Sequence, residues 1–313
     1  MRKTLTMLGL VVFISGCSGK PVTLKLHAPA DSALIEQHLK AITKTDGYRN
    51  YENVPLLDQT AEYIFSVFSQ YTDTTRYQTY QVNGETYRNV ICRLGSASNT
   101  PLVVIGAHYD VAGNQEGADD NASGVVGLLE LVRMLSQEKL NYPVEIVAYS
   151  LEEPPFFKTE NMGSYIHAKS LHDAGTPVYG MAALEMIGYF DDKPGSQSYP
   201  AGVMKYIYGN KGDFIGLVGK VGSGKFLKEF WANFKKAADI KTHTIKMPPW
   251  GMTGIDYSDH LNYWKFGYDA FMITDTSFYR NHNYHQKSDT MDTLDIPQMM
   301  KVIDAVAAAI VHL

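Results

Sequence analysis

Residue types that bind metal ions follow three short apolar runs of this sequence. The runs and the residues after them are Leu102 to Ala107 with His108-Tyr109-Asp110, Val144 to Tyr149 with Glu152-Glu153, and Met181 to Leu184 with Glu185. A charged side chain at the end of a buried strand must be solvated, paired or bound to a metal, because moving it into an apolar layer is costly. A single residue of this kind is usually only solvated.

These three groups are expected to lie together. In an open α/β sheet, ligands bind beyond the carboxyl ends of the strands, so the residues after each run should meet at one edge. Acidic and imidazole groups gathered there would repel or desolvate one another unless a cation neutralised them. Because mixed histidine and carboxylate ligation suits zinc, the pattern predicts a zinc site at this edge.

Two further polar segments supply residues of the same types. The first is Gly117-Ala118-Asp119-Asp120-Asn121-Ala122-Ser123-Gly124, which places acids at the start of a predicted helix. Helix capping accounts for one of these residues but not for the whole group. The second segment, Tyr284-His285-Gln286-Lys287-Ser288-Asp289-Thr290, places a histidine and an acid before the last predicted helix.

The elements that must position these residues alternate along the chain. Beyond the three runs above, strands are predicted at Phe214–Val218 and Ala270–Ile273, and an Asn83-Gly84 turn predicts a hairpin of Tyr77–Val82 with Tyr87–Leu94. Helices are predicted at Ser32–Ile42 with Ser32 as N-cap, Leu56–Phe68, Gly124–Leu140, Met162–Leu171, Gly224–Ala238, Leu261–Phe266 and Ile296–Leu313. This order predicts an α/β fold, a three-layer sandwich with a mainly parallel, mixed central sheet flanked by helices.

Size and charge limit the function. A chain of 313 residues with 45% hydrophobic content is long enough for one large α/β domain, which we expect to span residues 30–313. The formal net charge of -5 and the absence of a Lys/Arg-rich stretch exclude nucleic acid as an expected partner.

The first residues are typical of a bacterial targeting signal. Arg2 and Lys3 precede a short apolar run, and the small residues Ser15-Gly16 stand directly before Cys17. We expect residues 1–17 to be a lipoprotein signal with Cys17 as the lipidated residue, and residues 18–29 to be a tether. The protein would then be a periplasm-facing lipoprotein of the cell envelope, held on a membrane through Cys17. An ordinary secretory signal is the alternative. Cys92, the other cysteine, is expected to be a buried small hydrophobic residue.

The ordered set of motifs resembles the M28 family of zinc aminopeptidases over about residues 85–313. The matching segments are His108-x-Asp110, Gly117 to Gly124, Glu152-Glu153, Glu185-Met-Ile-Gly188, Ser258-Asp259-His260 and His285-x-x-x-Asp289-Thr290. The resemblance implies a zinc exopeptidase of the phosphorylase/hydrolase-like fold that removes N-terminal residues from peptides. Glu185 departs from the aspartate that many members carry, and its longer side chain needs a slightly withdrawn backbone.

Carried over by position, the resemblance also implies a role for each site residue. Asp119 would bridge two zinc ions, with His108 and Glu185 completing one site and Glu153 and His285 the other. Glu152 would be the general base, and Tyr284 would supply a hydroxyl that polarises the substrate carbonyl. Asp110 would orient His108, Asp289 would orient His285, and the Asp119–Asp120 peptide bond would be cis.

The same residues leave other functions open. Glutaminyl-peptide cyclotransferases share the fold and much of the site but use a single zinc, and a non-catalytic binding protein would be expected to lack ligands or the base. Gly219 to Lys225 satisfies part of a phosphate-binding loop, but Phe226 stands where Ser or Thr must hold magnesium. Side-chain specificity depends on the predicted pocket walls Asp191–Met204 and Ile245–Asp256. The sequence leaves the oligomeric state undetermined.

Overall fold

A mixed sheet of eight strands runs through the residues described by the computed structural model, 26–95, 100–248 and 251–313. The strands are β1 (Arg76–Val82), β2 (Glu85–Leu94), β3 (Leu102–His108), β4 (Val144–Tyr149), β5 (Val178–Glu185), β6 (Phe214–Lys220), β7 (Lys241–Met247) and β8 (Ala270–Thr274). Their order across the sheet is β1-β2-β4-β3-β5-β8-β6-β7. The predicted signal, Cys17 and most of the predicted tether lie outside the described residues.

The four central strands, β4, β3, β5 and β8, are parallel. All residues of β3, β4 and β8 are buried, which is why these segments are almost continuously apolar in the sequence. The outer pairs β1/β2, β2/β4 and β6/β8 are antiparallel, so the sheet is mixed as predicted. Parallel pairing brings the carboxyl ends of the central strands to one edge.

Helices cover both faces of the sheet. They are α1 (Ser32–Thr43), α2 (Val54–Phe68), α3 (Gly124–Leu135), α4 (Gly163–Asp173), α5 (Lys205–Tyr208), α6 (Lys225–Ala237), α7 (His260–Lys265) and α8 (Ile296–Val311). The main core lies between one face and α1, α2, α3, α6 and α8, and a smaller core joins the other face to α4 and α7. The predicted three-layer α/β sandwich is therefore confirmed.

Local boundaries differ from the sequence predictions at several places. The N-cap of α1 is Asp31 and not Ser32, because the Asp31 carboxylate accepts hydrogen bonds from the backbone N–H groups of Ala33 and Leu34. Helix α3 ends at Leu135, five residues before the predicted end. Strand β7 was not predicted, because this edge strand is mostly polar and only partly buried.

The glycine-rich segment before α6 is a turn that joins β6 to an amphipathic helix with one buried face. Phe226 is fully buried and packs against Phe230 and Phe271 in the main core. The residue that replaces the magnesium-binding hydroxyl is thus a core residue, which agrees with the predicted simple turn. Cys92 is likewise fully buried, in β2, as expected.

The N-terminal end of the described chain lies against the domain. The imidazole of His27 is 2.8 Å from the Glu138 carboxylate, and the backbone N–H of Ala30 donates to Asp304. The last residues of the predicted tether are therefore held by the domain surface. No helix within the described ranges has the length and apolar character that crossing a membrane requires.

Candidate metal centre

Two histidines and three carboxylates converge at the carboxyl edge of the central strands. His108 ends β3 and Glu185 ends β5, while Glu153 follows β4. Asp120 lies in an irregular turn, residues 118–123, that leads into α3, and His285 lies in the loop before α8. The edge predicted from the apolar runs therefore gathers groups from five separate segments.

These five residues form two triads that share Asp120. In the first triad, the Nε2 atom of His108 is 3.4 Å from Asp120 Oδ1 and 3.4 Å from Glu185 Oε2. In the second, the Nε2 atom of His285 is 3.1 Å from Asp120 Oδ2 and 3.2 Å from Glu153 Oε2. Within each triad the candidate ligand atoms lie within 4.8 Å of one another, which is close enough to hold one metal ion.

The shared carboxylate is Asp120, so the prediction that Asp119 bridges the metals is wrong. Asp119 Oδ1 accepts a hydrogen bond from the Gly188 backbone N–H at 3.0 Å, and Oδ2 accepts one from the Asn281 side chain at 2.7 Å. The backbone is non-helical at Asp120 (φ -103, ψ 94), and the two adjacent carboxylates reach different partners. The cis peptide bond also lies one residue later than predicted, between Asp120 and Asn121.

Asp289 holds the backbone of the turn that carries Asp120. It was predicted to orient His285, and that prediction is wrong. Its two carboxylate oxygens accept hydrogen bonds from the backbone N–H groups of Asp119 at 2.9 Å and Asp120 at 3.0 Å. The spacing of His285 and Asp289 in the sequence suggested a local contact, but the chain turns so that Asp289 faces the turn before α3. This correction makes Asp289 a support for Asp120.

Asp110 lies beside His108, as predicted, but its carboxylate also has another use. One oxygen is 3.6 Å from His108 Nδ1, and the same ring nitrogen lies 3.2 Å from the Asp110 backbone oxygen. The carboxylate accepts hydrogen bonds from the backbone N–H groups of Glu152 and Glu153, both at 3.1 Å. Asp110 thus fixes the segment that carries both glutamates.

Glu185 reaches the first triad despite its extra methylene. Ser258 Oγ donates a hydrogen bond to Glu185 Oε2 at 2.7 Å, and the same oxygen faces His108. Ser258 belongs to one of the motifs noted in the sequence, and the structure gives it this positioning contact.

A cavity of about 280 Å³ opens beside the two triads. One wall is apolar and contains Met204, Val218, Ile245, Met252 and Met272. Both loops predicted as pocket walls contribute to it, through residues 197–200 and 204 and through residues 245 and 252–254. The cavity could therefore hold an apolar side chain next to the metal-binding groups.

Tyr284 lines this cavity next to the second triad. Its ring stacks on His285, with ring centroids 3.8 Å apart and an angle of 19° between the planes. Burial, followed by the nearby carboxylates, raises the pKa of Tyr284 far above its usual value, so the hydroxyl stays protonated. Its predicted contact with a substrate carbonyl stays a prediction.

The M28 peptidase family model matches residues 89–310 of the chain, which include all five triad residues. This protein belongs to peptidase family M28. The protein named YfbL from Escherichia coli is 43% identical over 87% of this chain and 85% of its own length. Leucine aminopeptidase 1 of Uncinocarpus reesii is 26% identical over 68% of this chain, which spans about half (51%) of that relative.

Solved structures share the fold of this M28 peptidase. The LapA aminopeptidase of Legionella pneumophila has a TM-score of 0.70 at 20% identity, covering 90% of this chain and 71% of that one. The glutaminyl cyclase of Fimbriiglobus ruber has a TM-score of 0.66 at 17% identity, covering 95% and 100% of the two chains. At these identities the likeness concerns the fold, which two different activities therefore share.

Burial makes the charges of the M28 site interdependent. Burial raises the pKa of Glu153 to about 7, and it raises the pKa of Glu152 well above the usual value. Burial alone would lower the pKa of His108 and His285, but the facing carboxylates outweigh it, and the pKa of His285 rises to about 10. Without a metal, the carboxylates thus hold protons on both histidines, and these are the protons that a bound cation would replace.

Two supporting residues of this peptidase were missed in the sequence. Asp275 accepts hydrogen bonds from the backbone N–H groups of Tyr189 and Ser277. It directly follows β8, so it lies at the carboxyl end of a central strand, as His108 does at the end of β3. The rule applied to the other central strands would have found it. Asn281, which donates to Asp119, lies in an irregular loop where no sequence pattern marks it.

The two adjacent aspartates are expected to respond differently to the same substitution. Asp120→Asn should lower the metal content, because the amide removes the shared charge and replaces one ligand oxygen with a donor. Asp119→Asn should keep the metal but lower the free energy of unfolding by about 1–3 kcal/mol, because an amide nitrogen cannot accept a buried hydrogen bond. Elemental analysis after dialysis and urea unfolding measure the two effects, and metal loss confined to Asp119→Asn would contradict the assignment.

Proposed function

We propose that this protein is an aminopeptidase that uses two zinc ions to remove apolar N-terminal residues from peptides. The observation that carries the proposal is the position of Asp120. Its two oxygens face different histidines, at 3.4 Å from His108 Nε2 and 3.1 Å from His285 Nε2. A carboxylate shared in this way is suited to bridging two neighbouring metal ions.

The donor set favours zinc. Each triad offers one imidazole nitrogen and two carboxylates, a combination that zinc accepts, and three protein ligands leave a position for water or substrate. When bound, the zinc ions would lower the pKa of a coordinated water and polarise the peptide carbonyl. The protein groups then have to accept a proton, orient the peptide and exclude water.

Glu152 is suited to the role of general base. It lies at the edge of the triads, with its carboxylate 3.9 Å from His108 Nε2, whereas Glu153 faces His285 in the second triad. Its backbone N–H is fixed by Asp110, and burial raises its pKa well above the usual range. A carboxylate in that environment takes up a proton readily and can pass it to the leaving amine.

The charges of the cavity support action at the N-terminus of a peptide. Four carboxylates line it, those of Asp120, Glu152, Glu153 and Glu185, and none of the described residues in its lining is a lysine or arginine. Three of these carboxylates would bind the zinc ions, so the lack of cationic side chains matters more. Without a lysine or arginine to pair with an α-carboxylate, the cavity favours the N-terminal over the C-terminal residue of a peptide. The apolar wall then receives the first side chain, and the names of the leucine aminopeptidase relatives agree with this preference.

Glutaminyl-peptide cyclisation is the second candidate, because a glutaminyl cyclase shares the fold over 95% of this chain. As noted for the sequence, glutaminyl-peptide cyclotransferases use a single zinc ion. Both triads are complete here, which favours two metal ions and hydrolysis.

A substrate panel tests the proposal. Leucyl-, methionyl- and phenylalanyl-p-nitroanilide should be hydrolysed, and their N-acetylated forms should react at least about 10³-fold more slowly, because acetylation removes the free α-amine that the site is proposed to bind. Chelation should abolish the activity, and zinc should restore it at about two ions per chain. Equal rates on blocked substrates, or cyclisation of a glutaminyl substrate without hydrolysis, would contradict the proposal. Full activity at one zinc per chain would show that the second zinc ion is not needed for the reaction.

The two adjacent glutamates provide a matched pair of variants. Glu152→Gln should keep both metals but lower kcat by about 10²–10⁴-fold, because the amide preserves shape without accepting a proton. Glu153→Gln should instead lower the metal content, because a triad ligand is altered. Metal analysis beside steady-state kinetics separates the two effects. Identical behaviour of the two variants, or zinc loss in Glu152→Gln, would disprove this division of roles.

We further propose that the protein is a lipoprotein of the bacterial cell envelope. The support is the sequence alone: a charged start, a short apolar run and Ser15-Gly16 before Cys17. Cys17→Ala should release the enzyme from the membrane fraction or block its processing, because acyl chains would supply the attachment. Fractionation and N-terminal sequencing measure this, and wild-type protein found only in soluble fractions with another N-terminus would refute the proposal.

A further inference from the structure

Arg49 is a buried arginine in the segment between α1 and α2, outside the residues that match the family model. Its side chain is in contact with the loop behind the metal centre and is 2% exposed. The guanidinium donates to three backbone carbonyls, from Nε to Tyr109 at 2.7 Å, from Nη2 to Gly117 at 2.6 Å and from Nη1 to Glu116. Such a rigid fork fixes the positions of its acceptors, which a lysine cannot do.

The three carbonyls belong to the two ends of one loop. Tyr109 directly follows His108, whereas Glu116 and Gly117 directly precede the turn that carries Asp120. The guanidinium therefore bridges the start and the end of the connection between two ligands of the first triad. The backbone oxygen of Arg49 accepts a hydrogen bond from Val111 in the same loop, at 3.2 Å.

Neighbouring contacts show how closely this loop is held. Asn50 Nδ2 donates to the Gly113 carbonyl at 2.8 Å, and Lys44 pairs with Glu116 at 2.7 Å. Gly117 has a φ of +57°, and a Cβ atom there would lie 2.3 Å from the Asp120 carbonyl oxygen and 3.1 Å from Arg49 Nη2. Glycine at this position allows the guanidinium and the ligand-bearing turn to approach.

Several carboxylates act electrostatically on the charge of Arg49. Burial lowers its pKa to about 10, and Asp289, Asp120, Asp110 and Glu153 act against that shift. The group is therefore cationic at neutral pH. A fixed cation near a metal site has two opposing effects, because its charge repels the metal while its hydrogen bonds hold the ligands in place.

We propose that Arg49 is a positioning residue of the metal centre, whose three hydrogen bonds set the separation of His108 and Asp120. This inference rests on the proposed metal-binding function. The positional effect dominates because the hydrogen bonds of the guanidinium go to backbone carbonyls and not to the metal-binding carboxylates, and these bonds tie both ends of the ligand-bearing loop. The N-terminal segment, which carries no metal ligand among its described residues, would thereby determine how tightly the first triad binds its ion.

Cobalt binding tests this role without relying on peptidase activity. Metal-free wild-type protein, Arg49→Lys and Arg49→Met would be titrated with Co²⁺, following the visible absorption that reports ligand geometry. Both variants should raise the cobalt dissociation constant about 10–100-fold and change the spectrum, as the loss of a group that orients metal ligands does. When both variants are reloaded with zinc, the fold decrease in kcat should be larger than the fold change in KM.

Arg133→Lys is the matched control. Arg133 also forms a fork that holds the N-terminal segment, to Glu130 and to the Pro29 carbonyl, but it lies on α3 away from the loop of residues 109–117. This variant should lose stability while its cobalt dissociation constant and spectrum stay at wild-type values.

Three results would overturn the role of Arg49. The first is a wild-type cobalt affinity in Arg49→Lys with tighter binding in Arg49→Met, which would make its effect one of charge alone. The second is a wild-type affinity and spectrum in both variants with a lowered melting temperature. The third concerns Asn50→Ala, which would be measured if neither Arg49 variant folds. This variant loosens the same loop at Gly113 and should raise the cobalt dissociation constant several-fold. An unchanged dissociation constant would refute the proposal. Failure of the wild-type protein to bind cobalt would instead refute the metal-binding function itself.

Discussion

The structure depends on one electrostatic constraint, the burial of several carboxylates at the carboxyl edge of the sheet. Asp120, Glu152, Glu153 and Glu185 are each at most 6% exposed and share this edge with two imidazoles. Charges taken out of water must be compensated by protons, by opposite charges or by a bound cation. The raised pKa values of Glu152, Glu153 and Glu185 show the first kind of compensation, those of the two histidines show the second, and the two triads provide for the third.

A second group of buried aspartates keeps this cluster in place. Each of its members accepts hydrogen bonds from segments that carry, or directly adjoin, the metal-binding residues. The contacts are Asp110 with the backbone of Glu152 and Glu153, Asp289 with that of Asp119 and Asp120, Asp119 with Gly188 and the Asn281 side chain, and Asp275 with Tyr189 and Ser277. Loops from distant parts of the sequence are therefore joined through carboxylates, and Arg49 adds a cationic counterpart from outside the family-matched region.

The sequence predicted the features that follow from burial and periodicity. Strands buried on both faces are continuously apolar, so β3, β4 and β5 could be located together with the groups that follow them. The polar edge strand β7 has no such pattern and was missed. The identity of the aspartate shared by the two triads could not be predicted, because Asp119 and Asp120 are adjacent and of the same type. Only the backbone course through residues 118–123 decides which carboxylate faces the histidines.

In the proposed mechanism, Asp120 holds two zinc ions between the triads. The most direct measurement is anomalous scattering at the zinc absorption edge from crystals of the zinc-loaded protein. We expect two peaks about 3.5–4 Å apart, one beside His108 and Glu185 and the other beside Glu153 and His285, with Asp120 between them. A single peak at saturating zinc, or zinc bound by Asp119 in place of Asp120, would contradict it.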